Sequence, residues 1–432
     1  MDFNILDYGA AADGATVNTV AIQSAIDDCA AYGGGRVVVP SGEFITGTIY
    51  LKSHVEFHLE IGAVLRASSE MSDYNELSAY PENFDVPSEK WSGKHLIIAH
   101  AVYNVALTGF GKIDGGGDEI FDDKNIDVGF HGYIWSYGFV MQKDLSVLRP
   151  GQTVVFVDCE DVRITDVTIE KSSSWCLFLH GCRNVQIRGV KAFNPKNRAQ
   201  TDGIDIDVCR NVTVSDCIID TGDDGITLRG VSRRLINGMT ACENVTITNC
   251  VIACSSSAFR FGVGTGIVRN INISNITIHR AAKAFNIMTS FGSDGHILIE
   301  DINIHNVSAT GVSFPFCIRE TDGCQIRNVT ISNYRAKTFA GAVLVARDRG
   351  GIENVSIHDM NLTIVTPPFS VAADGLAQDM KNTLLADDSR HLFYVDGAEN
   401  VLFHRIRTEI EDAQKKNFDG VYYIKNTDSV EY

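Results

Sequence analysis

One phrase recurs along this chain: a polar residue, then Val or Ile, then apolar residues at alternating positions. It reads Asp161-Val162-Arg163-Ile164, Asn184-Val185-Gln186-Ile187 and Asn211-Val212-Thr213-Val214. It returns as Asn244-Val245-Thr246-Ile247, Asn270-Ile271-Asn272-Ile273, His296-Ile297-Leu298-Ile299, Asn328-Val329-Thr330-Ile331 and Asn354-Val355-Ser356-Ile357. The steps between copies, from Val162 onward, are 23, 27, 33, 26, 26, 32 and 26 residues. A step in the twenties that holds several short strands of period two matches one coil of a parallel β-helix. Leucine-rich repeats share the length but need a leucine consensus that is absent here, and propeller blades need about 40 residues. A lone coil cannot bury its inward side chains. Coils stacked at about 4.8 Å build a continuous core and pair their backbones with the coil on either side. The two ends then need caps.

The N-terminal cap is readable. Residues Thr19 to Ala31 carry Val20, Ile22, Ala25, Ile26 and Cys29 at helical spacing, Gly33-Gly34-Gly35 stops the helix, and Arg36-Val37-Val38-Val39 follows as a strand. The fold expected is therefore all-β: a single-domain right-handed parallel β-helix spanning 1–432, with an N-terminal capping helix and first coils over 1–60. Segments 69–94 and 118–150 lack the repeat and are expected as loops walling one side of a groove. In 367–432, Asn400-Val401-Leu402-Phe403 reads as one more coil, and the remainder as a cap.

Composition narrows the setting. The 54 acidic residues outnumber 37 basic ones, for a net charge of -17, which argues against nucleic acid or an anionic membrane as partner. No stretch has the length of a transmembrane helix. The 11 cysteines lack CxxC pairs and read as small buried residues of a reducing compartment. The chain opens without a leader pattern, so the expected location is cytoplasmic, or extracellular if a leader was removed.

Two acidic segments carry the candidate chemistry: Gln200-Thr201-Asp202-Gly203-Ile204 and Thr221-Gly222-Asp223-Asp224-Gly225-Ile226. Aligned on the shared Asp-Gly-Ile, Asp202 falls opposite Asp224 at an offset of 22 residues, one coil. The three aspartates are expected side by side at the start of one strand position on adjacent coils, each segment with a glycine to free the backbone. Carboxylates this close repel, so a protonated acid can stand beside ionised bases. That is the equipment of glycoside hydrolysis. A turn motif and a site for a hard cation are the other readings of such aspartates. No metal or other cofactor is expected, and an oligosaccharide is the expected partner.

At these residues the sequence resembles the polygalacturonase-like glycoside hydrolases of family 28, over roughly residues 4 to 365. Further markers are Tyr8-Gly9 with Asp13-Gly14, Ile113-Asp114-Gly115-Gly116-Gly117, Arg149-Pro150 and Ser174-Trp175. The resemblance implies an inverting mechanism, with Asp223 as general acid and Asp202 and Asp224 holding and deprotonating the water. It breaks on the next coils. The family's Gly-His-Gly corresponds to Ser256-Ser257-Ala258, and its Arg-Ile-Lys to Asn286-Ile287-Met288. Those basic residues hold the galacturonate carboxylate in typical members, so plain polygalacturonate is not the expected substrate.

The same register sets Arg260 between Thr227 and Asn286, pointing outward, with Phe259 and Phe261 in the core. Arg260 is thus either a replacement carboxylate binder or the partner of a cleft aspartate. Arg229, aligned with Asp207, and Arg319 are further candidates. Trp175 is read either as a sugar-stacking ring or as wall packing, and His180 and His296 as structural. The function expected is hydrolysis of a pectin-related or other plant-derived oligosaccharide. Imported short chains favour exo-action, with the long loops closing one end of the groove. The alternatives are a β-helix polysaccharide lyase or epimerase, and a non-catalytic carbohydrate-binding β-helix.

Overall fold

The computed structural model describes residues 1–127, 139–142, 148–289, 296–321, 323–367, 390–427 and 429–432. They fall into two compact units: Met1–Asp127 with Phe139–Gly222 and Arg234–Met239, and Asp223–Arg233 with Thr240–Tyr432. Each unit is a run of right-handed parallel β-helix.

In the first unit three parallel ladders stack coil on coil. One joins strands Ile49–Leu51, Ile97–His100, Val154–Val157, Leu177–His180 and Ile204–Asp207. A second runs from Asp2–Asn4 through Gly35–Val39, Val55–Leu59, Tyr103–Gly109, Glu160–Thr165 and Arg183–Arg188 to Arg210–Ser215. The third runs from Asp13–Val17 to Ile218–Asp220. In the second unit, corners between ladders are often smoothed into long bent strands such as Ile267–Met288 and Leu298–Phe314.

Like residues stack in the interior. Val105, Val162, Val185 and Val212 form one file in the first unit, and Val245, Ile271, Ile302, Val329, Val355 and Val401 form its counterpart in the second. All are buried. Each such side chain contributes about 1.5–3 kcal/mol on leaving water.

The polar residue that opens each copy is a corner. Asp161, Asn184, Asn211, Asn244, Asn270, Asp301, Asn328, Asn354 and Asn400 all have φ between +53° and +59°. Asparagine and aspartate tolerate this left-handed region better than other side chains. Their side chains also bond along the stack. Asn184 Nδ2 donates to Asp161 Oδ1 (3.0 Å), Asn211 to Asn184 (3.1 Å), Asn270 to Asn244 (2.7 Å), Asn328 to Asp301 (2.8 Å), Asn354 to Asn328 (3.1 Å) and Asn400 to Asn354 (3.2 Å).

One copy of the phrase is displaced. Ile271 pairs with Ile302, not with Ile297, and the corner residue is Asp301, not His296. The true copy, Asp301-Ile302-Asn303-Ile304, lies five residues downstream. Ile297 and Ile299 present the same alternation, so periodicity alone did not separate the two. Two earlier coils, His54-Val55-Glu56-Phe57 and Asn104-Val105-Ala106-Leu107, belong to the same series. The coil at Asn400-Val401-Leu402-Phe403 pairs with Glu353–His358 as expected.

The helix spans Thr19–Ala31 and packs against strands Gly35–Val39 and Ile49–Leu51. Ile22, Ala25, Ile26 and Cys29 are buried, whereas Val20 points to solvent. Segment 69–94 holds three short 3-10 turns, Met71–Asp73, Leu77–Ala79 and Pro87–Glu89. In segment 118–150, strands Phe121–Asp127 and Phe139–Gln142 pair antiparallel. The rest of that expected loop, 128–138 and 143–147, lies outside the described residues, as does 368–389 of the expected C-terminal cap.

The corner ladder can be tested at Asn328. Replacing Asn328 by Ala removes two ladder bonds and forces an alanine to φ +59°. The expected loss is about 2 kcal/mol. Asn328→Gly removes the bonds but accepts the backbone, so it should lose about half as much. Denaturant midpoints of the two variants and the wild type measure both terms. Equal losses would rule out the backbone contribution.

Candidate active site

Asp202 lies in the first unit, at the entry to strand Ile204–Asp207, and is almost fully buried. Its carbonyl accepts the Cys176 amide (2.9 Å), and the Gly203 carbonyl accepts the Leu177 amide (3.2 Å), so the coil of Trp175 fixes its backbone. The turn before it is braced from inside. Thr201 Oγ1 donates to the Arg198 carbonyl (2.8 Å), and the Arg149 guanidinium reaches the Ala199 carbonyl (3.5 Å) and Gln200 Oε1. The guanidiniums of Arg149 and Arg198, both buried, lie 5.1 and 5.2 Å from the Phe121 ring centroid. Arg198 also pairs with Asp118. Sequence reasoning quoted Arg149 only within a family marker, and it missed Arg198 and Phe121. A lone arginine in a loop carries no periodic signal.

Asp223 and Asp224 lie in the second unit, at the entry to strand Ile226–Gly230; Asp223 is half-buried and Asp224 buried. The Ser257 amide donates to Asp224 Oδ1 (2.7 Å) and Arg260 Nη1 to Oδ2 (3.2 Å). Burial alone would raise the Asp224 pKa. The Arg260 charge, with hydrogen bonds from the Ser256 and Ser257 hydroxyls and the Ser257 amide, outweighs it and holds the carboxyl below its usual range.

The glycines beside the aspartates are needed for close approach, not for a left-handed backbone; neither Gly222 nor Gly225 has positive φ. A Cβ on Gly222 would stand 2.2 Å from the Arg198 carbonyl oxygen, and one on Gly225 would stand 2.7 Å from that of Ala258.

Arg260 sits in register between Thr227 and Asn286, and Phe259 and Phe261 are buried, as the repeat register requires. The structure brings Asp224, Ser257, Arg260, Asn286 and Met288 into one connected group. Besides the Asp224 pair, Arg260 Nη2 lies 3.8 Å from Met288 Sδ, and Asn286 Nδ2 donates to Ser257 Oγ (3.2 Å). Arg319 is half-buried and in register with Met288; its carbonyl accepts the Thr289 amide (3.2 Å). Arg229 is half-buried on Ile226–Gly230.

Trp175 is buried in a wall. Its ring centroid lies 5.8 Å from that of Trp91 and 5.4 Å from that of Phe178, in a cluster with Tyr80, Ile98, Val155 and Val157. Ile98, Val155 and Phe178 share one outward file of the ladder that reaches Asp205, and the Tyr80 and Trp91 side chains of segment 69–94 help cover it. His180 is buried, stacked on Phe178 (5.4 Å) with Nδ1 3.4 Å from an Asp207 oxygen. His296 is exposed, with Nδ1 3.7 Å from Cys324 Sγ.

Fold and site define a parallel β-helix protein with acidic residues at the strand entries of its ladder. The sequence profile of glycosyl hydrolases family 28 matches residues 29–373, and the chain belongs to that family. It is 30% identical to a probable polygalacturonase of Vitis vinifera over 233 residues, 52% of this chain and 44% of that protein. It is 29% identical to an exo-poly-alpha-D-galacturonosidase of Dickeya chrysanthemi over 258 residues, 52% of this chain and 41% of that protein. The chain thus spans less than half the length of these curated relatives. Among solved structures, a hyperthermoactive exopolygalacturonase from Thermotoga maritima superposes with a TM-score of 0.72 at 21% identity, covering 95% of this chain and 92% of that one.

The wall has its own pH test. His95, buried, links segment 69–94 to the coils: Nδ1 lies 2.9 Å from the Gln152 carbonyl oxygen, and Nε2 lies 3.2 Å from the Tyr80 hydroxyl and 3.1 Å from Asn83 Oδ1. Burial depresses the pKa of the ring to about 4, against the Gln152 hydrogen bond that favours the charged form. The unfolded ring titrates near 6.5. Its contribution to stability is therefore complete above about pH 6.5 and is lost as pH falls towards 4. Proteolysis within 69–94 should rise over that window. In His95→Gln the rise over that window should be absent.

Proposed function

We propose that this protein is an inverting glycoside hydrolase that acts on pectin-related or other plant-derived oligosaccharides other than plain polygalacturonate. The observation that carries the reading is membership of glycosyl hydrolases family 28 with all three acidic positions of its motifs present as Asp202, Asp223 and Asp224. In this reading the half-buried Asp223 protonates the leaving oxygen. Asp202 and Asp224 hold a water on the opposite face of the sugar and take its proton.

The substrate follows from the neighbours of Asp224. Ser257 and Asn286 are bonded to each other, and together they offer a hydroxyl and an amide rather than cations. Such a surface suits sugar hydroxyls, and Ser257 and Asn286 themselves supply no cation for a uronate carboxylate. The aromatic wall of Tyr80, Trp91, Trp175 and Phe178 supports exo-action. It covers the outward positions of the coils leading to Asp202, where a continuing sugar chain would otherwise lie. Segment 69–94 then flanks the substrate. The eleven cysteines are all buried, and with them we place the enzyme in a reducing compartment, working on imported short chains.

The test is a set of defined neutral and acidic oligosaccharides, with products followed by NMR. Neutral or mixed chains should lose single units from one end, with inverted anomeric configuration first. Asp223→Asn should lower kcat by about a thousandfold or more in a folded protein. First release of the retained anomer, or of an unsaturated sugar absorbing in the ultraviolet, would refute the mechanism.

A further inference from the structure

We propose that Arg260 is the positioning residue of the catalytic base: it clamps Asp224 as a carboxylate instead of reading the substrate's charge. This rests on the hydrolase reading above. The geometry carries it. Both Asp224 oxygens are engaged from the next coil, Oδ1 by the Ser257 amide at 2.7 Å and Oδ2 by Arg260 Nη1 at 3.2 Å. The Arg260 side chain is only 12% exposed and that of Asp224 4%, so the pair interacts with little screening by water. A guanidinium that shares its charge with a buried carboxylate is a poor receptor for a second one. Met288 completes the seat, its thioether 3.8 Å from Arg260 Nη2. A cation at position 288, such as the lysine of the resembling motif, would repel the guanidinium. The neutral Asn286-Ile287-Met288 and the Arg260 clamp are therefore one arrangement.

The clamp divides the labour of the adjacent aspartates. Asp224 is held ionised and oriented for the base role, and the acid role of the proposed mechanism falls to its neighbour Asp223. The titratable and charged groups around Asp224 are Asp223 in its own turn, Cys254 and Arg260 on the next coil, and Arg280 and Lys283 on the coil after. Cys254 is kept a neutral thiol by burial, which pushes its pKa well up.

The experiment compares wild type, Arg260→Lys and Arg260→Gln on the best neutral substrate across pH. In Arg260→Gln the acidic limb of kcat should move up by about one pH unit or more, with kcat recovering towards alkaline pH and KM changing less than about twofold. Arg260→Lys keeps the charge and should keep the limb within about half a unit. An unmoved limb, or a KM rise confined to acidic oligosaccharides, would overturn the proposal in favour of substrate binding by Arg260. A second readout needs no activity: carbon-13 carboxyl titration, with Asp224 assigned by its loss in Asp224→Asn. Its midpoint should rise in Arg260→Gln, and an unchanged midpoint overturns the clamp. Should the wild type hydrolyse none of the sugars, the hydrolase reading fails while this titration still decides the clamp.

Discussion

Everything in this structure depends on the parallel ladder between successive coils. Backbone hydrogen bonds along such a ladder hold residues one coil apart side by side, at about 4.8 Å. Sequence distance is thereby converted into lateral distance: a residue meets its counterpart 23 residues on at Val162–Val185, 31 on at Ile271–Ile302 and 57 on at Val105–Val162, where a long segment intervenes. The corner asparagines keep that conversion in register. Each places its own backbone at positive φ and also bonds its neighbour's side chain, so a slip of one residue would break both. Excursions such as 69–94 are tolerated because they leave and rejoin the ladder at corners.

This explains what was legible in the sequence. The file Val162, Val185, Val212 and the placement of Arg260 between Thr227 and Asn286 follow from alignment of the repeat alone, and the structure has both. The helix Thr19–Ala31 was legible because its period differs from that of its surroundings. The misplaced copy at His296 shows the limit. Alternation is degenerate under a shift, and only the left-handed corner at Asp301 marks the true frame. The buried braces at Asp202 were not legible. Arg149, Arg198 and Phe121 come from separate loops, and no periodicity brings them to one point. Gly225 was visible but misread: it is small because neighbouring backbone comes close, which composition cannot distinguish from a turn.

The aromatic wall is a second consequence of the ladder. Outward positions of a solenoid face normally alternate into water. Here Ile98, Val155 and Phe178 are apolar and buried instead, which only a covering element makes favourable. An apolar file on the outer face therefore signals a lid in the sequence itself, and the aromatic residues Tyr80 and Trp91 of segment 69–94 are its complement. Trp175 offered two readings in the sequence, and its contacts with Trp91 and Phe178 place it in this wall.

The same logic bears on how one scaffold changes its substrate without losing its chemistry. Residues at strand entries, such as Asp224, are tied to the turn that shapes the coil. Residues two or four positions into the strands of the following coils are tied only to their lateral neighbours. Arg260 illustrates the coupling that remains. Its charge is useful to Asp224 only while position 288 is neutral, and position 288 can be neutral only if no substrate carboxylate has to be bound there. In the proposed function, a cation on the coil beside the base, with none on the substrate-reading coil, sets two properties together, the charge of the sugar that fits and the pH at which the base is ready. On that proposal, substrate charge and pH range are linked variables because one guanidinium cannot neutralise two carboxylates at once.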